Sequence, residues 1–281
     1  MEFKASSFDY SIICQALGAG LTYPYFRSNN GDKILTCISP HHGRSFVIKK
    51  NGNGQYIVSK GNGLSYTQYK FLHTGEFGSN TWGLLSKKDA IRDFTLGQEV
   101  ASLGIKTNKM EYVLELQKTV ILEDGHTIRP VLLQYSVECP YRICDAPFMT
   151  FQMIKEEIDK WSRFNCKKYD EPYMIAADVL IGYLRKLHDN NILHNAIHVQ
   201  NFTWALELLD FELACSPKHP YDKETDNMYA KDLFQREILY TYEVINYIAW
   251  CLNSNVEYRV VDAIFKDYGF DLNKLSLKSD F

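Results

Sequence analysis

The residues best able to do chemistry cluster in one segment, His194-Asn195-Ala196-Ile197-His198-Val199-Gln200-Asn201, which ends nine residues before Asp210-Phe211-Glu212. The amide oxygen of Asn201 and the carboxylate of Asp210 are hard oxygen donors of the kind that hold Mg²⁺ against phosphates. A short hairpin through Trp204 and Leu209 separates them and would bring both to one point. Read alone, the same residues also describe a polar loop before a buried strand, with Asp210 as a cap. His198 is the nearby group able to accept a proton near neutral pH. His194 and His198 have the spacing of a zinc-hydrolase pair, but Asn195 stands where the glutamate base is needed, which argues against that chemistry.

These residues need elements to position them. Residues 1 to about 150 hold most of the glycines and many β-formers, and residues 151 to 281 read mainly as helices. Ser45–Lys50 and Gln55–Lys60 flank Asn51-Gly52-Asn53-Gly54, a hairpin signal. A helix is predicted over about 87–103, with Ser86 and Asp89 resembling a capping box and Gly104 as its stop. Strands are predicted at 111–117, 119–123 and 131–137. Helices follow at about 152–165, 172–189 with Pro172 opening it, 229–252 and 256–267.

Composition removes several classes. The 281 residues carry 31 Lys plus Arg against 34 Asp plus Glu, a formal charge of −3, so no nucleic-acid partner is expected. The 19 tyrosines and 16 phenylalanines then read as packing residues rather than a base-stacking surface. The seven cysteines are scattered without a Cys-x-x-Cys, giving neither a disulfide framework nor a zinc knuckle. The opening Met1-Glu2-Phe3-Lys4 is not a charged segment followed by an apolar run, and the apolar stretches fall short of the ~18 residues that cross a bilayer. No membrane association and a cytoplasmic location are expected. Walker A, Rossmann and Gly-x-Ser-x-Gly patterns do not occur.

A β-rich part with one helix, then a helical part with a polar loop and hairpin, is the organisation of kinase-like folds. Five motifs in order sharpen this to a resemblance to the selenoprotein O (YdiU) family of kinase-like protein adenylyltransferases. They are His41-His42-Gly43-Arg44; Lys60-Gly61-Asn62-Gly63-Leu64-Ser65-Tyr66; the helix Arg92-Asp93-Phe94 through Glu99 to Leu103-Gly104-Ile105; Tyr135 to Arg142; and the His194–Asp210 segment. The resemblance spans residue 41 to about 215. It implies a two-lobed α+β protein-kinase-like fold, with a β-rich N-lobe over 1–150 and a helical C-lobe over 151–281, holding ATP with Mg²⁺ or Mn²⁺.

The same resemblance implies that Lys60 holds nucleotide phosphates and is oriented by Glu99, that Gly43, Arg44 and Arg142 help enclose the nucleotide, and that Asn201 and Asp210 bind the metal. It departs from the family at Tyr135, in place of the first of two arginines, and at Glu212, in place of a glycine, where it adds negative charge near the phosphates. It departs again where a base aspartate belongs: Ala196 and Gln200 occupy the two alternative positions, and neither takes a proton. The leading expectation is transfer of AMP from ATP to a protein hydroxyl. The alternatives are a catalytically impaired pseudokinase that binds and regulates a protein partner, and a small-molecule phosphotransferase.

Overall fold

A computed structural model describes residues 10–15, 45–61, 84–117, 119–121, 127–165, 169–220 and 231–272. Gly43, Arg44 and the whole of the glycine-rich segment after Gly61 lie outside the described residues. The chain divides into two compact units: Met1–Tyr141 with Leu209–Glu212, and Arg142–Leu208 with Leu213–Phe281.

The first unit is built on β1 (Tyr10–Gln15), β2 (Ser45–Lys50), β3 (Tyr56–Lys60), β4 (Lys109–Leu116) and β7 (Val131–Val137). These strands pair antiparallel in the order β1-β4-β7-β3-β2. Two short strands, β5 (Val120–Ile121) and β6 (Thr127–Ile128), pair separately. β7 sits at the centre and all seven of its residues are buried, so it shows no polar alternation. The β2–β3 turn forms as its sequence predicts. Asn51 Oδ1 accepts from Asn53 N at 3.0 Å and Gln55 N at 2.9 Å, and Gly54 supplies the positive φ of 81°. β1 was not anticipated, because its partner β4 lies about a hundred residues away and leaves no local signal.

Helix α1 (Lys87–Ser102) starts where Ser86 Oγ accepts from Asp89 N at 2.9 Å. Its buried face carries Ala90, Asp93, Phe94, Gly97 and Val100, the three- and four-residue steps of an amphipathic stripe. Gly97 lets β4 and the returning chain approach. A Cβ there would lie 3.3 Å from Phe211 Cδ2 and overlap the methyl of Met110.

The second unit opens with a 3₁₀ segment, Ile143–Phe148, followed by α2 (Phe151–Asn165), α3 (Pro172–Asp189), α4 (Lys231–Cys251) and α5 (Tyr258–Asp267). α3 is its core, burying Tyr173, Ile175, Ala176, Leu180, Leu184 and Leu187 among others, and it packs against α2, α4 and α5. Tyr242 of α4 stacks on Phe265 of α5 with ring centroids 5.6 Å apart. The class is the α+β one expected: an antiparallel sheet with one helix, then a helical portion. No helix among the described residues is long and apolar enough to cross a membrane.

Gly61, directly after β3, has φ of 92°, and a Cβ there would come 2.7 Å from both Leu85 Cβ and the Val131 carbonyl oxygen. Gly61→Ala is therefore expected to cost about 1–3 kcal/mol in backbone strain alone, with the overlap adding to it. Thermal melting should show a clear loss; a change within about 0.5 kcal/mol, as at an ordinary surface position, would contradict it.

Candidate functional site

β3 ends at Lys60, whose side chain is only 2% exposed. A buried ammonium must be paired, and three carboxylates meet it. Asp93 Oδ2 lies at 2.6 Å, Asp210 Oδ1 at 2.8 Å and Glu212 Oε1 at 2.6 Å. Their side-chain exposures are 1%, 17% and 8%, so water screens them little.

Each carboxylate arrives by a different route. Asp93 comes from the buried stripe of α1, and its two oxygens do different work: Oδ2 takes Lys60, while Oδ1 accepts from the Phe211 backbone N–H at 3.0 Å. Phe211 is fully buried beside Gly97, so α1 anchors the returning segment Leu209–Glu212 through both backbone and ring. Asp210 itself has φ of 68°, a left-handed conformation uncommon for a residue with a side chain and frequent at functional positions. Flanked by two anchored neighbours, it is held with its carboxylate toward Lys60.

Carboxylate oxygens of Asp93, Asp210 and Glu212 all lie within 4.8 Å of one another, a spacing one divalent cation can span. With one ammonium among them, the cluster carries excess negative charge. Asp93 responds most: burial pushes its carboxyl up to about 6 and Asp210 and Glu212 add to the rise, against the opposing pull of Lys60.

In the second unit the His194–Asn201 loop is fixed from below by α4. Asn195, at φ of 63°, donates its backbone N–H to Glu237 Oε1 at 2.7 Å and its side-chain amide to the Leu213 carbonyl at 2.8 Å. Glu237 Oε2 meets His188 Nε2 at 2.9 Å. Asn201 is buried. Its Nδ2 donates to the Ala196 carbonyl at 2.9 Å, which leaves Oδ1 aimed away without a hydrogen-bond partner. After Asn201 the chain turns back through Thr203–Glu207. Leu206 takes φ of 58°, and Thr203 Oγ1 donates to Glu207 Oε2 at 2.8 Å.

Among the residues singled out in the sequence, Lys60 and Asp210 are brought together, although 150 positions separate them. The helix partner expected at Glu99 is instead Asp93. Six residues along a helix are about 9 Å of rise and 600° of turn, so the two residues face different directions. Arg142 is 4% exposed and donates from Nη1 to the Gln200 carbonyl at 2.8 Å, a bond that supports the loop. Tyr135 is buried in β7. Asn201 belongs to the second unit and Asp210 to the first. His198 Nδ1 accepts from Gln200 N at 3.3 Å. That contact places the ring against the 3₁₀ turn of the loop. Glu212, read from the sequence as added negative charge near the phosphates, pairs directly with Lys60.

No protein-family model and no curated protein matches the chain. Among solved structures, a Toxoplasma gondii rhoptry antigen kinase domain is similar over 79% of this chain and 71% of that one, with 9% identity and a TM-score of 0.42.

Two expectations follow from the cluster. Lys60→Met strands three carboxylates without their cation and should cost about 3–5 kcal/mol in denaturant unfolding; a near-neutral result would mean the carboxylates do not depend on Lys60. Native Asp93 keeps its proton above the pH at which the unfolded chain releases it. The stability it contributes is therefore complete below 3.8 and lost as pH rises to about 6. Carboxyl ¹³C NMR should find Asp93 titrating near 6, and a midpoint below 4 would contradict the environment described.

Proposed function

We propose that the protein binds ATP with Mg²⁺ and transfers AMP to a protein hydroxyl. The observation that carries the nucleotide part is the meeting of Lys60 and Asp210 at 2.8 Å in a buried acidic cluster. A lysine offers phosphate a point charge, and a neighbouring aspartate offers a metal a hard oxygen.

The donor set fits a magnesium ion. Asp93, Asp210 and Glu212 offer hard carboxylate oxygens within 4.8 Å of one another, and Asp210 is the most exposed of the three. Bound Mg²⁺ would supply charge neutralisation at the phosphates. Of the chain's own residues, Lys60 would hold phosphate oxygens, Asp93 would orient Lys60, and Arg142 and Glu237 would keep the loop rigid.

In the transfer itself the substrate hydroxyl oxygen bonds to the α-phosphorus as the bridge to pyrophosphate breaks. The hydroxyl proton, which finds no carboxylate at Ala196 or Gln200, passes to the departing pyrophosphate or to water. Such transfers rely mainly on positioning and electrostatics, so a slow reaction is consistent with these residues.

The missing base favours a second reading, a nucleotide-binding regulator of a protein partner that does not turn over. Gln200 is exposed, so Gln200→Asp can be made at small structural cost. With α-labelled ATP in a lysate holding natural partners, the transferase reading expects labelled protein with the native chain and none with Asp210→Ala. Label appearing only with Gln200→Asp would assign the native protein to the regulator class. Label from γ-labelled ATP on a small molecule would displace both.

A further inference from the structure

The sheet of the first unit carries a second buried carboxylate, on the face turned away from the Lys60 cluster. Strand alternation separates the two faces. Met110 of β4 lies against Gly97 of α1 and stands opposite Tyr135 of β7, so Tyr135 is on the α1 side. Val58 stands opposite Tyr135 and Lys60 opposite Leu133, which puts Lys60 on that side as well. Gln134 and Ser136 flank Tyr135 and therefore face the other way.

On that other face Gln134 is fully buried, Ser136 is 1% exposed and Glu111 of β4 is 6% exposed. Glu111 is the residue skipped by the β4–β7 register, between Met110 opposite Tyr135 and Tyr112 opposite Gln134. A bulge of this kind re-aims a side chain, and here Glu111 Oε2 accepts from Gln134 Nε2 at 2.8 Å. A carboxylate only accepts, so the amide must give Glu111 its nitrogen and turn its oxygen elsewhere. That oxygen, Gln134 Oε1, and the Ser136 hydroxyl are both buried without a hydrogen-bond partner. The ion pairs among the described residues all use other carboxylates, and Lys109, two residues before Glu111, is exposed.

A buried carboxylate calls for a cation, and neutral oxygens are the groups that replace the water around a monovalent one. We propose that Glu111, Gln134 and Ser136 hold a monovalent inorganic cation, Na⁺ or K⁺, on the sheet face opposite the Lys60 cluster. The charge decides the class. One carboxylate neutralises one positive charge, whereas a divalent ion would leave a buried excess, and Mg²⁺ also gives up its water reluctantly.

Thermal melting tests this in sodium, potassium, magnesium and calcium chlorides against tetramethylammonium chloride at matched ionic strength. The proteins are the native chain, Glu111→Gln and Ser136→Ala. Sodium or potassium should raise the native melting temperature with a saturable dependence on concentration. The gain should disappear in Glu111→Gln, and in Ser136→Ala the half-saturating concentration should rise at least about threefold for the loss of one oxygen. The Lys60 cluster is the same in all three proteins, so a gain common to all three places the cation elsewhere and overturns the proposal. No gain over tetramethylammonium in the native chain overturns it too, as does a Glu111-dependent gain with the divalent salts alone. Should Glu111→Gln fail to fold, an unchanged half-saturating concentration in Ser136→Ala overturns it. None of these outcomes bears on the nucleotide reading, whose Lys60 lies on the other face.

Discussion

Burial of the Lys60 ammonium is the constraint from which the first unit is best understood. An unpaired ammonium in a protein interior is untenable, so wherever β3 delivers it, carboxylates must be delivered too. That requirement accounts for a charged residue in the apolar stripe of α1. It also accounts for the return of the chain after more than a hundred residues to place Asp210 and Glu212. The glycines at 61 and 97 serve the same end. One lets β3 end against Leu85 and Val131, and the other lets Phe211 settle against α1. Yet the pairing overshoots. Three carboxylates share one lysine, and Asp210 and Glu212 add to the rise that burial already gives the Asp93 carboxyl. The cluster therefore keeps a net negative charge in a poorly screened place.

The second unit solves a different problem with similar economy. Its loop must hold polar groups in fixed orientations without regular structure, and it does so by hydrogen bonds from more stable neighbours. Glu237 on α4 spans His188 on α3 and the backbone of Asn195, while Arg142 supports Gln200. Asn201 is then anchored by its own amide hydrogens, which decides which way its oxygen faces. A side chain held this firmly has little orientational freedom left to lose.

What the sequence made legible was local. The capped start of α1, the Pro172 opening of α3 and the Asn-Gly turn each depend on residues within a few positions, and each formed as read. Lys60 and Asp210 were also legible, through motif order. Asp93 was missed because attention went to Glu99, although a signal was present: counted at three- and four-residue steps, Asp93 falls between Ala90 and Gly97 in the stripe that must be buried. A carboxylate there needs a cation, and Lys60 was already a candidate. Arg142 and Glu212 were less accessible. Whether a charged side chain meets a ligand, a carbonyl or another side chain depends on tertiary approach, and nothing in the neighbouring residues encodes it. The strand β1 escaped for the same reason.

On the nucleotide-binding reading, the departures from a fully equipped transferase bear on the proton and on the charge at the phosphates. Gln200 and Ala196 offer no carboxylate as a proton acceptor, and Glu212 adds a third carboxylate at Lys60. The first would slow turnover, and the second sets a negative charge where phosphate would come. A buried lysine with three carboxylates is harder to accommodate than an apolar core of the same volume. The loop likewise carries an unsatisfied buried oxygen at Asn201, a cost that an apolar side chain there would not incur. A costly polar site without a carboxylate base is, on that reading, the pattern of a site whose occupancy matters more than its rate.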